Sequence, residues 1–325
     1  MSISDFRVKM QQSYDFKVAY AETRVHEFIR MCNSDTFVSV GGLDSITLLY
    51  FIKAVGYNIP AVSVSSIEDK TVRAVHKQLD VIDVKPLISK YRILRDIGYP
   101  IISKEVAHKV GVLQNPTEKN AAYRHAILTG ETTAKASRPF SSVTKLPDKY
   151  ISMNLDKCPV CISDKCCLYM KEKPVQQWAK EHKAVPFLGL HADESRRRLL
   201  ALGKNGCNMY GKNARSAPFA IFSKSDILHL AIDLKVTVPA AYGEIVCNEG
   251  EYTTTGRART GCDICGFGIQ FEKTRPHRFD ILYQTEPTKW HFYIEQMKYG
   301  QLFDYIGFEY RQPYTIGDKA WKGGE

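Results

Sequence analysis

Thr36-Phe37-Val38-Ser39-Val40-Gly41-Gly42-Leu43-Asp44-Ser45 is the stretch whose reading decides the fold. Its first five residues are short, β-branched or aromatic and read as a buried strand. Two glycines follow at once, and then Ile46, Leu48, Leu49, Phe51 and Ile52 fill a helix that is apolar on most of its faces. Gly56 and Pro60 punctuate its end. Beyond it, Ala61-Val62-Ser63-Val64-Ser65 reads as a second strand, Glu68 to Leu79 as a second helix and Val81 to Val84 as a third strand. Strand, helix, strand, helix, strand predicts a parallel sheet with right-handed crossovers. The expected fold is α/β, a doubly wound and mostly parallel sheet.

The flanks follow the same logic. Residues 6–33 read as helical, as do 86–135 with breaks at Gly98-Tyr99-Pro100 and Asn115-Pro116. The stretch 137–165, with Pro139, Pro147 and Pro159, reads as irregular, and Lys165 to Lys180 returns to helix. Val185 to Leu190 is a further buried strand, followed by helices at Asp193 to Leu202 and at Ser223 to Leu234, the latter with a serine cap. Residues 243–270, rich in Gly, Thr and Cys, predict a loop, and 271–310 an aromatic-rich helical segment. The expected division is an α/β domain over 1–240 and a cysteine-bearing loop and helical extension over 241–325.

Composition narrows the classes. In 325 residues, an apolar share of 44% and a charged share of 25% exclude wholesale disorder. No apolar run approaches the roughly 18 residues of a membrane span. The start of the chain has no apolar signal region, so a cytoplasmic protein is expected. With 45 basic and 35 acidic residues the net charge is +10, which favours anionic partners such as nucleotides or nucleic acid. A solvated basic surface explains the same surplus, because no long Lys/Arg block exists.

Six of the nine cysteines are grouped, as Cys158-x-x-Cys161, Cys166-Cys167 and Cys262-x-x-Cys265, while Cys32, Cys207 and Cys247 stand alone. In a reducing compartment such grouping points to metal or redox chemistry rather than disulfides. Two separated pairs of thiolates hold a tetrahedral zinc or a [4Fe–4S] cluster. By spacing alone, Cys158 and Cys161 with Cys262 and Cys265 make a straightforward zinc set, and plain structural thiols are the remaining reading.

At the loop, Gly41 and Gly42 let the backbone approach an anion, and the helix start offers N–H groups to it. Ser45 can add a hydroxyl and Asp44 can hold magnesium. An ordinary strand-to-helix turn gives the same pattern, but its place at a strand's carboxyl end in an α/β unit favours a ligand.

The segment resembles the Ser-Gly-Gly-x-Asp-Ser "PP-loop" of the adenine-nucleotide α-hydrolase superfamily. Downstream, Gly98-Tyr99-Pro100-Ile101-Ile102-Ser103-Lys104-Glu105, Cys166-Cys167-x-x-x-Lys171-x-x-Pro174 and Gly189-Leu190-His191-Ala192-Asp193-Glu194-Ser195-x-x-Arg198 resemble, in order, segments of the phosphoadenosine phosphosulfate (PAPS) reductase family. So do Ala217-Pro218-Phe219-Ala220-Ile221-Phe222-Ser223-x-x-Asp226-Ile227 with Tyr242-Gly243 behind it, and Arg259-Thr260-Gly261-Cys262-x-x-Cys265-Gly266-Phe267-Gly268 with Arg278-Phe279 after it. The likeness runs from about residue 36 to 310 and is nearest to the bacterial and phage PAPS-reductase-like subgroup.

The resemblance implies an adenine-nucleotide enzyme that activates or moves sulfur, with ATP or adenylyl sulfate (or its 3′-phosphate) as substrate. It places Asp44 and Ser45 in catalysis. It places Ser39, Gly41, Gly42, Asp44 and Ser45 on the nucleotide, together with Lys104, Gly189, His191, Glu194, Ser195 and Arg198. Cys166, Cys167, Cys262 and Cys265 would hold a [4Fe–4S] cluster, with zinc as the alternative, and magnesium would accompany the nucleotide. The implied partners are a sulfur donor protein or thiol reductant and an acceptor that includes nucleic acid. Cys207, in Asn205-Gly206-Cys207-Asn208, also resembles the subgroup and is a candidate pocket residue.

Three departures weigh on that choice. Val40 stands where the loop's leading serine would be, and His191 where the family has arginine. No cysteine follows Cys265, whereas the reductases of the family use a C-terminal cysteine as nucleophile. An ATP pyrophosphatase or sulfurtransferase is therefore favoured over a sulfonucleotide reductase, with a non-catalytic nucleotide-binding module as the third class. Arg196 and Arg197 read as a solvated helix face, Lys104 and Lys171 as either surface or phosphate-binding lysines, and Trp290, Phe292, Tyr293, Tyr299, Phe303 and Tyr305 as helical core rather than a base-stacking platform.

Overall fold

In the computed structural model, which describes residues 3–32, 34–131, 145–262, 265–273 and 275–310, the deciding stretch forms a strand followed by a helix, Leu43–Ala54. The strands among the described residues are β1 (Asp35–Ser39), β2 (Ala61–Ser63), β3 (Ile82–Asp83), β4 (Ile101–Ile102), β5 (Ala184–Leu188), β6 (Asn208–Met209), β7 (Arg215–Ser216), β8 (Ile245–Asn248), β9 (Glu251–Thr254) and β10 (Gly266–Phe267). Six of them make a central sheet in the order β3-β2-β1-β5-β7-β6, parallel throughout except for β6 against β7. The fold is α/β with a mostly parallel sheet. Strand order reverses between β1 and β5, which pair residue for residue from Asp35 with Ala184 to Ser39 with Leu188.

The chain divides into two units, one of residues 1–87 with 171–262 and the other of 88–170 with 263–325. This division differs from a boundary at 240. The insertion 88–170 belongs with the C-terminal stretch because β4 pairs in parallel with β10, and the Tyr99 hydroxyl donates to the Met297 carbonyl.

In the first unit the helix Leu43–Ala54 buries Leu43, Ile46, Leu48, Leu49, Phe51 and Ile52, as its apolar faces require. Phe28 meets Phe187 edge-on at 5.1 Å between ring centroids, and Phe51 lies 5.5 Å from Phe219. The helix Lys224–Asp233 opens with the expected cap: Ser223 Oγ accepts from the Asp226 amide, and Asp226 accepts from the Ser223 amide at 2.7 Å. The same carboxylate takes the ammonium of buried Lys17 at 2.7 Å, tying this cap to the helix Tyr14–Met31.

Two expectations shift. The second strand stops at Ser63 because the Ser65 amide donates to the Asp83 carboxylate, at 2.7 Å, rather than to a neighbouring strand. The loop expected over 243–270 contains a hairpin, β8 against β9. Its two turn residues, Glu249 and Gly250, both have positive φ (50° and 86°), the geometry that matches strand twist in two-residue hairpins.

The second unit carries the helices Lys104–Gln114, Ala121–Thr129, Arg278–Thr285 and Tyr299–Ile306, and its C-terminal stretch holds an aromatic core. Phe279, Tyr299 and Phe303 are fully buried, with Phe279 edge-on to Phe303 at 4.7 Å, and Trp290 and Tyr293 are buried as well. Of the aromatic stretch, Trp290, Tyr293, Tyr299 and Phe303 are core, whereas Phe292 and Tyr305 are only half-buried. No helix among the described residues is long and apolar enough to cross a membrane. The expectations for 132–144 lie outside the described residues.

Because Asp226 serves both as cap and as the partner of a buried lysine, Asp226→Ala should cost about 3–5 kcal/mol in urea denaturation. Lys17→Met, which leaves the cap intact, should cost clearly less. Equal losses would mean that the cap contributes nothing.

Candidate functional site

The loop leaves β1 at the point where strand order reverses, the position at which open α/β sheets bind ligands. Its hydrogen bonds are nearly self-contained. The Gly41 amide donates to Ser45 Oγ at 2.7 Å, the Ser45 hydroxyl donates to the Gly42 carbonyl at 2.9 Å, and the Ile46 amide reaches the same carbonyl at 3.1 Å. The Leu43 amide donates to the Tyr242 hydroxyl at 3.1 Å, and that hydroxyl shares a hydrogen bond with Thr260 Oγ1 at 2.8 Å. Burial pushes the Tyr242 phenol above its ordinary range, so it stays neutral and keeps its proton.

Two amides are left. Among the described residues, the N–H groups of Gly42 and Asp44 have no protein partner, and Gly42 caps the helix with no side chain. They sit at the start of a 12-residue helix, where the macrodipole favours negative charge. The folded loop uses the Gly41 amide and the Ser45 hydroxyl internally, so of the Gly41, Gly42 and Ser45 donors that the loop suggests only the Gly42 amide is left, joined by that of Asp44.

Behind the loop, His76 Nε2 donates to the Gly41 carbonyl at 2.8 Å. With that proton fixed by an acceptor-only carbonyl, Nδ1 of the neutral ring accepts from the Ser65 hydroxyl at 2.9 Å. Burial holds the His76 pKa below its usual value, in keeping with a neutral ring. Buried Glu68, which pairs with Lys171 at 2.7 Å, lies on the Gly41 side of this cluster.

In front of the loop, Asp44 is gripped by the Lys224 ammonium, with His191 Nε2 at 3.6 Å. Burial by itself pushes the Asp44 carboxyl up, but His191 and the charge of Lys224 outweigh it and hold the group below the ordinary carboxylate range. His191 is only 4% exposed, and its Nδ1 has no partner. Gly189 brings β5 against the loop, since a Cβ there would lie 2.8 Å from Ser45 Cα.

Ser39 is half-buried in β1. Ser195 caps the helix Arg196–Asn205 by accepting from the Arg198 amide. Glu194 holds Arg198 at 3.2 Å and Arg259 at 3.6 Å, and the turn that carries it meets the loop's neighbours where Asp193 accepts from the Lys224 amide. Arg196 and Arg197 are exposed, as a solvated face would be. Lys104 belongs to the second unit, where it opens the helix Lys104–Gln114. Cys207 is a correction: it lies in the hydrophobic core of the first unit, its Sγ 3.9 Å from the Tyr20 hydroxyl, and burial raises its pKa.

Among the described residues no three His, Cys, Asp or Glu side chains come together as a metal-binding group. Cys166, Cys167 and Cys265 fall in the second unit and Cys262 in the first, while 263–264, between the last pair, lie outside the described residues. Asp44 is engaged by an ammonium and an imidazole, whereas magnesium requires near-octahedral oxygen ligands.

Lys224, His76 and Ser65 are site residues that no motif named, whereas Tyr242 and Thr260 lie within segments that resemble the family. Compared with known families and curated proteins, the chain matches no family model and no curated sequence.

Lys224→Met should raise the pKa of Asp44, read by carboxyl 13C NMR. A depressed carboxylate pKa stabilises the fold above the unfolded value of about 3.9 and loses that effect as pH falls through the folded value. The destabilisation by Lys224→Met should therefore be largest near neutrality and fade in acid. A loss independent of pH would show that the pair is not its source.

Proposed function

We propose that the chain is an adenine-nucleotide enzyme of the PP-loop type, resembling the PAPS reductase family, and that it cleaves ATP between the α- and β-phosphates to activate an acceptor for sulfur insertion. The observation that carries this reading is the loop at the reversal of strand order, where among the described residues the Gly42 and Asp44 amides have no protein partner. Two such amides at the start of a helix suit a ligand rich in oxygens.

In this reading an acceptor oxygen attacks the α-phosphorus, the bond from that phosphorus to the bridging oxygen breaks, and pyrophosphate leaves with the electron pair. The Gly42 and Asp44 amides stabilise charge on the leaving pyrophosphate, as fixed dipoles do at an oxyanion. Lys224 supplies positive charge beside them, and Asp44 holds that ammonium in place. A sulfur donor then displaces AMP from the adenylated acceptor. The surplus of basic residues suits a nucleic-acid acceptor. A sulfonucleotide reductase is less well supported, because no cysteine follows Cys265.

The test is ATP titration with pyrophosphate detection. The unaltered chain should bind ATP, gaining about 2.7 kcal/mol of stability at a hundredfold excess over Kd, and release pyrophosphate when an acceptor is present. Asp44→Ala should abolish turnover without loss of helical circular dichroism. Binding with no pyrophosphate from any acceptor would make the chain a nucleotide-binding module, and no ATP binding would overturn the reading. Iron, sulfide and zinc analysis of anaerobically purified protein separates the proposed cluster from zinc or plain thiols.

A further inference from the structure

The glycines that let the loop approach an anion also leave its central peptide free to turn. The Gly41–Gly42 peptide is trans, so its carbonyl and its N–H point in opposite directions. With a glycine on each side, no Cβ resists rotation of that plane about the flanking bonds. One orientation presents the Gly42 N–H at the strand end. The flipped one presents the Gly41 carbonyl there, and its partial negative charge would repel a phosphate.

We infer that His76 and Ser65 are positioning residues that lock this peptide with the Gly42 N–H facing the anion. The inference rests on the nucleotide reading of the loop. His76 Nε2 donates to the Gly41 carbonyl at 2.8 Å and so fixes which way the N–H points. The ring is itself held: the Ser65 hydroxyl donates to its Nδ1 at 2.9 Å, and the Ser65 amide is anchored on Asp83 at 2.7 Å. His76 stands on the helix Lys70–Gln78, whose start is capped by Asp69, and Asp69 also takes Arg257 at 3.0 Å. From Asp83 to the Gly41 carbonyl every polar group is satisfied, and His76 is 2% exposed. Neither His76 nor Ser65 needs to touch the ligand. Their effect reaches it through one peptide plane.

The experiment uses the full chain with His76→Leu, His76→Gln and Ser65→Ala. ATP affinity is measured by calorimetry, and the Gly42 amide is followed by 1H–15N NMR during titration with inorganic pyrophosphate. Losing one buried hydrogen bond that orients a donor should weaken ATP binding about tenfold in His76→Leu. His76→Gln carries an N–H of similar reach and should restore most of the affinity, while Ser65→Ala should fall between. Pyrophosphate should move the Gly42 amide resonance strongly in the unaltered chain and in His76→Gln, and little in His76→Leu. A purely structural histidine would lower stability and leave that resonance responsive. Should His76→Leu not fold, Ser65→Ala decides: unchanged affinity and an unchanged Gly42 response would overturn the inference. Failure of the unaltered chain to bind either ATP or pyrophosphate would overturn the nucleotide reading with it, whereas equal binding by all variants overturns only the positioning role.

Discussion

A Cβ at position 189 would lie 2.9 Å from the Ser45 amide nitrogen and 3.0 Å from the Asp44 carbonyl carbon, so only glycine permits the approach seen there. That approach sets the site. It lets the end of β5 press against the first helical turn, which places His191 beside Asp44. It leaves no room for a side chain at position 189 itself. Position 42 shows the same constraint from the other direction, since a Cβ would collide with the Tyr242 hydroxyl that takes the Leu43 amide.

How much of this was legible beforehand depends on the range over which each feature acts. The strand, the two glycines and the helix after them stood out because burial pattern and turn chemistry are local. The Ser223 cap was readable for the same reason, and so was the aromatic core at 290–305. The β8–β9 hairpin was hidden by a composition of Gly, Thr and Cys typical of loops, although Asn248-Glu249-Gly250 held its turn. Tyr242 meets Leu43 across 199 positions, and Lys224 meets Asp44 across 180. No periodicity reports such meetings, because which polar side chain arrives at the loop is decided by the order of strands in the sheet. His76 reads in sequence as one polar residue on an amphipathic helix; burial and the Gly41 carbonyl give it a different part.

The charges of the first unit are arranged in pairs rather than in a basic field. Asp44 holds Lys224, Glu68 holds Lys171, Asp69 holds Arg257, and Glu194 spans Arg198 and Arg259. Each of these cations is oriented before any anion arrives, and pre-oriented donors lose less freedom when they bind. An arriving phosphate would have to share them with carboxylates already in place, which favours a ligand of high negative charge over a singly charged one.

The first unit is built from 1–87 and 171–262, with the insertion between them belonging elsewhere. On a ribosome, the glycine loop and its helix emerge long before β5 and longer still before Tyr242. At synthesis rates of about 5–20 residues per second, the nascent loop waits roughly 10–30 s for the partners that fix it. During that interval the apolar helix Leu43–Ala54 has neither the second half of its sheet nor the Phe219 and Phe222 side of its core. A chain of this layout depends on the rest of its synthesis, or on a chaperone, to keep that helix from wrong partners until its last strand has arrived.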